Sequence, residues 1–144
     1  MTFKTWMLAL GLMALAGTAL AQGNVIAERR AGLKRMGEHM EAMKPISDSR
    51  GDPRAAVPRI DDMIAFYRGL PALFPAGSGT GDTKAQPAIW QDFPRFEQAA
   101  AALVGQLTTM RAAAAAGDAA AFQTAYQATG PQFCGGCHRP FRAR

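Results

Sequence analysis

The sequence predicts an all-α protein, an antiparallel up-down-up-down four-helix bundle. Apolar residues recur at helical spacing in four stretches, proline and glycine separate those stretches, and no stretch alternates with the period of a strand. The chain has 144 residues, of which 49% are hydrophobic and 19% charged. This size favours a single domain, and this composition excludes a disordered chain.

The first 21 residues have the pattern of a secretory signal peptide. Lys4 supplies a positive charge, residues 6–16 are apolar, and Ala19-Leu20-Ala21 is a small-x-small cleavage site. A membrane anchor is the alternative, but the apolar stretch is shorter than the roughly 20 residues of a membrane span. We therefore predict a cleaved signal peptide at 1–21, a single domain at 22–144, and a periplasmic location.

The first predicted helix covers residues 25–43. Its apolar stripe consists of Leu33, Met36, Met40 and Met43. Asn24 suits the N-cap, and Pro45 is expected to end the helix. The polar stretch at 47–53 then reads as a loop.

The second and third helices are separated by a long, glycine-rich connection. Apolar spacing predicts the second helix over 58–70 and a loop over 71–86. The third helix is expected to start near Pro87 or Pro94 and to run to Ala116. Its seam has the 4, 3, 4, 3 spacing of a bundle and comprises Phe96, Ala100, Leu103, Leu107 and Met110.

The fourth helix is predicted from Ala119 onward. Gly117 suits the end of the third helix, and Asp118 suits the N-cap of the fourth. Phe122 and Tyr126 are expected to point inward. Gly130-Pro131 should kink or interrupt this helix before the terminal segment.

Both cysteines lie in one motif, Cys134-Gly135-Gly136-Cys137-His138. Cys-x-x-Cys-His is the attachment motif of c-type haem. On a helix, Cys134 and Cys137 share a face and can bond the two vinyl groups of one haem. His138 lies on the same face and can bind the iron as its axial ligand.

The two cysteines have three alternative interpretations. A thioredoxin-like redox pair is typical of a βαβ setting, which the helical pattern does not offer. A zinc site would need four ligands, and His39, the only other histidine, is expected to be exposed. A structural disulfide is compatible with an exported protein. The exported chain with both cysteines followed by His138 favours haem.

The whole of 22–144 resembles the cytochrome c prime family of class II c-type cytochromes. The resemblance rests on the helix at 29–43, the stretch from Leu70-Pro71 to Pro87-Ala88-Ile89-Trp90, Phe96, the Gly117-Asp118 break, and the segment 134–142. It implies a four-helix bundle with one covalent haem c. Family members also commonly form homodimers through their first two helices.

Several residues take haem-side roles by this resemblance. Arg29 matches an arginine near a haem propionate, and Leu33 matches the residue over the distal face of the iron. Phe96 matches an aromatic residue near the haem, and Arg142 a basic residue beside the axial histidine. Ordinary core positions for Leu33 and Phe96, and solvated charges for Arg29 and Arg142, are the simpler alternatives.

The distal residue distinguishes two mechanisms. Leu33 has no donor atom, so the resemblance implies a five-coordinate, high-spin haem that binds nitric oxide and carbon monoxide. Met36 or Met40 could instead supply a thioether as sixth ligand and give a low-spin electron carrier. Core packing is the simpler interpretation of both methionines.

The predicted function is one-electron transfer and gas binding by a protein that is not an enzyme, with an unknown periplasmic redox partner. A haem-free thiol-disulfide enzyme using Cys134 and Cys137 is the remaining alternative. The net charge of +5 alone would suggest nucleic acid as a partner. We interpret the basic residues instead as partners of the propionates and of acidic redox proteins, so neither nucleic acid nor insertion into a membrane is expected.

Overall fold

The computed structural model describes the backbone of residues 3–144 and the side chains of residues 24–144. Within that part, helices of three types account for the regular structure. The α-helices are α1 (Phe3–Ser49), α2 (Val57–Gly69), α3 (Ala88–Gln91), α4 (Phe93–Ala116), α5 (Ala119–Ala128) and α6 (Gly135–Phe141). Two 3-10 helices span Pro53–Ala56 and Leu70–Leu73, and a π-helix spans Thr129–Cys134.

Four helical rods form an antiparallel bundle, which confirms the predicted fold class. The rods are α1, α2, α4, and the composite of α5, the π-helix and α6. α1 packs against α2 and α5, and α4 packs against the same two helices. The connection between α1 and α2 and that between α4 and α5 are short, so each pair must run antiparallel.

The predicted limits of the first helix are wrong at both ends. Helix α1 continues through Asn24, which therefore does not cap it, and through Pro45 to Ser49. A proline removes one backbone donor, but packing can offset that loss. Ile46 and Ser47 lie against the neighbouring helices, and the Ser49 hydroxyl donates to the Pro45 carbonyl at 2.8 Å.

The loop predicted at 47–53 is correspondingly shorter. Arg50 adopts a left-handed conformation (φ 52°), which reverses the chain directly after α1. The Asp52 carboxylate then accepts a hydrogen bond from the Arg54 amide at 3.0 Å and caps the 3-10 helix. Only residues 50–52 are therefore irregular here.

The long connection between α2 and α4 contains more structure than predicted. It includes the second 3-10 helix and the short helix α3, followed by a break at Asp92. Asp92 accepts a hydrogen bond from the Arg95 amide at 3.3 Å and so caps α4. Two helices therefore occupy the region predicted as the third helix: α3 begins after Pro87, and α4 begins near Pro94.

The break between the last two rods has the predicted chemistry. Gly117 is left-handed (φ 73°), a conformation that costs glycine least, and Asp118 accepts a hydrogen bond from the Ala121 amide at 2.9 Å. Gly130-Pro131 interrupts the last rod as expected, but by widening it into a π-helix. Pro131 has no N–H, so the register of the backbone hydrogen bonds shifts by one residue. The Gly135 amide then donates a hydrogen bond to the Gly130 carbonyl, five residues back.

The buried side chains form two clusters. The methionine-rich cluster lies between the long helices and comprises Met36, Met43, Ala56, Ile60, Met63, Ile64, Leu103, Leu107, Met110, Ala114, Phe122 and Ala125. The aromatic cluster lies around the irregular connection and comprises Leu70, Phe74, Ile89, Phe96, Ala100 and Phe141. Phe66 and Tyr67 of α2 pack against both clusters and join them.

The predicted signal peptide at 1–21 falls on residues whose side chains lie outside the described part of the chain. Across the residues that are described, no helix combines the length and hydropathy that crossing a membrane requires.

Candidate haem-attachment site

The Cys-x-x-Cys-His motif is helical throughout. Cys134 ends the π-helix with helical backbone angles (φ −64°, ψ −48°), and Cys137 and His138 follow in α6. Gly135 and Gly136 disfavour a helix by about 1 kcal/mol each relative to alanine, so intrinsic helix propensity does not explain the helical conformation of the motif. Contacts from other parts of the chain must hold the motif in this form.

Helix α6 is held at its end by the aromatic cluster and by the 84–86 segment. The Phe141 ring packs edge-on against Phe96 with centroids 5.4 Å apart. The Gln86 amide donates to the Phe141 carbonyl at 3.0 Å, and Ala85 forms an isolated β-bridge with Arg142. These contacts explain why the helix persists through Pro140 and ends only at Phe141.

The two thiols lack the lowered pKa that is typical of a reactive redox pair. Both cysteines are free and partly buried. Burial raises the pKa of the Cys134 thiol, and burial together with the neighbouring Cys134 raises the pKa of Cys137 to about 11. Redox-active thiols instead have lowered pKa values, because the thiolate is the reactive form. This difference disfavours the thiol-disulfide alternative.

His138 lies on α6, and the residue as a whole is exposed. Partial burial, and next the nearby Arg142 charge, lower the pKa of this imidazole. A lowered pKa favours the neutral ring, which is the form that binds a metal. Arg142 itself is exposed, and its amide donates to the His138 carbonyl at 3.0 Å.

Arg29 is a buried cation, with 2% of its surface exposed. Its guanidinium donates to the Ser78 carbonyl at 2.7 Å, the Ser78 hydroxyl at 3.0 Å, the Thr83 hydroxyl at 2.6 Å and the Leu73 carbonyl at 3.4 Å. It also lies over the Phe74 ring, 4.5 Å from the centroid. Arg29 therefore fastens the irregular connection to α1, and burial lowers its pKa.

The other predicted haem-side residues divide between the two clusters. Leu33 is partly buried against the aromatic cluster, as is Cys137, while Phe96 lies inside that cluster. Met36 is 1% exposed and belongs to the methionine-rich cluster. The structure therefore brings Leu33, Phe96 and Cys137 to one cluster and Met36 to the other.

Two aromatic residues near the motif were missed by the sequence analysis. Phe66 and Tyr67 pack edge to face at 5.4 Å, and Tyr67 lies near both cysteines. Burial, and next the charges of Cys134 and Cys137, raise the pKa of the Tyr67 phenol. In the sequence, Tyr67 is only one more apolar position of a helical stripe. A glycine inside the first predicted helix, Gly32, is the one local sign of a large neighbouring side chain, because a Cβ there would overlap the Phe66 ring.

His39 was expected to be exposed, but the structure shows that it is mostly buried. Only 15% of its side chain is accessible, and its Nε2 lies 2.8 Å from an Asp62 carboxylate oxygen on α2. Arg35 donates to the same carboxylate at 2.9 Å. His39 thus joins α1 to α2. Among the described residues no group of three His, Cys, Asp or Glu side chains is placed to hold a metal ion.

The donor set fits a covalent haem. Two cysteines outside any disulfide and an imidazole follow one another in one continuous helical segment, at the spacing that thioether attachment and axial ligation require. Within the described part of the chain, Arg29 forms no ion pair, although a buried cation is stabilised by a nearby anion. A propionate is an anion of suitable chemistry for it.

Comparison with known proteins gives a consistent result. A family model described as Cytochrome C′ matches residues 24–142. A cytochrome c′ of Rhodopseudomonas palustris is 41% identical over 105 residues, covering 68% of this chain and 70% of the relative. A cytochrome c-556 of Agrobacterium tumefaciens is 33% identical over 120 residues, covering 81% of this chain and 96% of the relative.

A solved structure agrees with these sequence matches. The nitrosyl complex of a cytochrome c prime variant from Alcaligenes xylosoxidans superposes with a TM-score of 0.76 at 25% identity, covering 85% of this chain and 97% of the other. Members of the family bind a covalently attached haem c, and the Cys-x-x-Cys-His motif described above matches that cofactor. The chain therefore belongs to the cytochrome c′ family.

Proposed function

We propose that this chain is a periplasmic one-electron carrier whose five-coordinate haem binds small uncharged gases such as nitric oxide and carbon monoxide. When bound, haem c supplies an iron that alternates between the ferric and ferrous states and has one open coordination position. In this proposal Cys134 and Cys137 form the thioether bonds, and His138 is the axial ligand. No catalysis on an organic substrate is assigned to the protein.

The observation that carries the proposal is the division of α1 between the two clusters. Leu33 packs in the same cluster as Cys137, whereas Met36 packs in the methionine-rich cluster. The α1 side chain that shares a cluster with Cys137 therefore has no donor atom for iron. A distal face covered by Leu33 admits a small uncharged gas and gives no sixth protein ligand. The related structure from Alcaligenes xylosoxidans was solved as a nitrosyl complex, which supports the gas assignment.

The remaining residues orient and shield the group. Arg29 is proposed to pair with a propionate while it holds the Ser78 and Thr83 segment with its other hydrogen bonds. Phe96 excludes water from the same side of the bundle, and Arg142 keeps a positive charge beside His138. Cleavage after Ala21 and pairing of two copies through the first two helices stay predictions.

Optical spectra of the purified holoprotein test this assignment. We expect a broad high-spin Soret band that shifts when nitric oxide or carbon monoxide is added. Leu33→Met should move the spectrum toward low spin, because it places a thioether beside the iron. Met36→Leu is the matched control, and it should leave the spectrum unchanged.

A different pattern would support the six-coordinate alternative. In that case the wild type would show sharp low-spin bands and a methionine–iron charge-transfer band. Either Met36→Leu or Met40→Leu, whichever removes the sixth ligand, would abolish that band. Absence of covalent haem after acid–acetone extraction would contradict both assignments.

A further inference from the structure

Four basic residues meet at the end of the bundle that carries the haem-attachment motif. Lys84, Arg139, Arg142 and Arg144 are all exposed. Lys84 is distant in sequence, but the Ala143 amide donates to its carbonyl at 2.8 Å. We call these four residues the basic patch.

The charges of the basic patch are not compensated. None of the four residues forms an ion pair with another residue in the described part of the chain. The sequence also has no aspartate or glutamate after Asp118. An uncompensated group of like charges produces a field that attracts oppositely charged partners.

The opposite end of the bundle is built differently. There Lys44 pairs with Asp48, and Arg54 pairs with Asp52. Cys137 lies 14 residues after Gln123, which bonds Arg50 at that end. At 1.5 Å per helical residue the two ends are about 20 Å apart, twice the screening length of about 10 Å at 0.1 M salt. Charges at one end therefore act almost independently of those at the other.

The basic patch adjoins the attachment motif. Arg139 directly follows His138, and its guanidinium lies 3.8 Å from the position that a Cβ on Gly135 would occupy. The surface nearest the cofactor attachment is thus positively charged.

We propose that the basic patch is the docking surface for an acidic electron-transfer protein. This inference rests on the proposed one-electron function, because it assigns the route by which the electron arrives. Complementary charge increases the rate of encounter and orients the partner, and charges at the rim of an interface act mainly on the association rate. The patch directs the acidic partner to the end of the bundle where the cofactor is attached.

Two charge-reversal variants of the holoprotein test the proposal. Lys84→Glu/Arg144→Glu changes the patch without altering a residue assigned to haem binding. Lys44→Glu/Arg50→Glu changes the net charge equally at the far end and is the matched control. The probe is a reduced acidic flavodoxin, which gives one electron to the ferric haem and becomes the semiquinone, followed by stopped-flow absorbance.

At low salt, we expect flavodoxin to reduce the patch variant at least about ten times more slowly than the wild type. A factor of this size is in the range typical of electrostatic steering. The control should change much less, and the difference should disappear at high salt. Photoreduced lumiflavin, which is uncharged, should reduce all three proteins at the same rate. Failure of lumiflavin to reduce the wild type would contradict the one-electron function itself.

Other results would overturn the docking surface alone. Equal slowing of both double variants would mean that only net charge matters. An unchanged flavodoxin rate in the patch variant, with loss of its binding to vesicles of anionic lipid or to duplex DNA, would assign the patch to a membrane or a nucleic acid. An unchanged rate with no such loss would show that the patch has no docking role.

Discussion

The two clusters of this bundle differ in how they are built. The methionine-rich cluster is formed mainly by regular helices whose apolar residues recur with the helical period, such as Leu103, Leu107 and Met110 on α4. The aromatic cluster takes its residues from a 3-10 helix, two short helices and one end of α4. The first is therefore a bundle core, and the second is a support for the attachment motif.

This difference separates stability from function. Substitutions in the methionine-rich cluster should reduce the stability of the bundle without reaching the cofactor. Substitutions in the aromatic cluster should do both, because Phe141 belongs to α6 and Cys137 packs against the same cluster. The following experiments test this separation, from the largest expected effect to the smallest.

Removal of the covalent cofactor should have the largest effect. Cys134→Ala/Cys137→Ala is expected to abolish covalent haem, and helix α6 should lose protection from hydrogen exchange because its two glycines and Pro140 disfavour a helix. Amides of α2 and α4 should remain protected. Hydrogen exchange followed by mass spectrometry measures both regions, and simultaneous loss in both would show that the clusters form a single cooperative unit.

Truncation inside each cluster gives a paired comparison. Phe96→Ala should cost about 3–5 kcal/mol and Leu107→Ala about 2–5 kcal/mol of the free energy of unfolding, since both side chains are buried. Only Phe96→Ala should also change the haem spectrum. Urea unfolding and optical spectra provide the two measurements. A spectral change of the same size in Leu107→Ala would refute the separation.

The boundary between the clusters can be tested with two glycines of α1. A Cβ at Gly32 would overlap the Phe66 ring, whereas a Cβ at Gly37 would meet open space. Gly32→Ala should destabilise the protein by about 1–3 kcal/mol through overpacking. Gly37→Ala should stabilise it by up to about 1 kcal/mol through helix propensity. Equal melting temperatures would mean that Phe66 moves aside without cost.

The smallest effect is expected for the contact between α1 and α2. The hydrogen bond from His39, followed by that from Arg35, lowers the pKa of the Asp62 carboxyl. The ionised Asp62 carboxylate therefore contributes its full stabilisation at pH values above the pKa that this carboxyl has in the unfolded chain. That stabilisation is lost as the pH falls through the lower pKa of Asp62 in the folded protein. Melting temperatures of wild type and Asp62→Asn should converge in acid. A constant difference across that range would contradict this assignment.

The sequence predicted the regular parts of the fold because their signals are local. The seam from Phe96 to Met110 and the Gly117-Asp118 break each lie within a few residues, and both were confirmed. The end predicted at Pro45 failed because burial of neighbouring residues outweighs one lost hydrogen bond. The structure within 71–86 was missed because prolines and glycines interrupt any hydrophobic period there.

The chemistry proposed for attachment follows from the sequence alone, because Cys134, Cys137 and His138 lie close together in the chain and share one helical face. Only the tertiary structure decided which groups surround them. Arg29 meets Ser78 across 49 residues, and Lys84 meets Ala143 across a comparable separation. No hydrophobic period or sequence motif indicates either contact, because such contacts arise when the chain reverses and its elements pack together. The identity of the cofactor is therefore a local property of this chain, whereas its environment is a property of the fold.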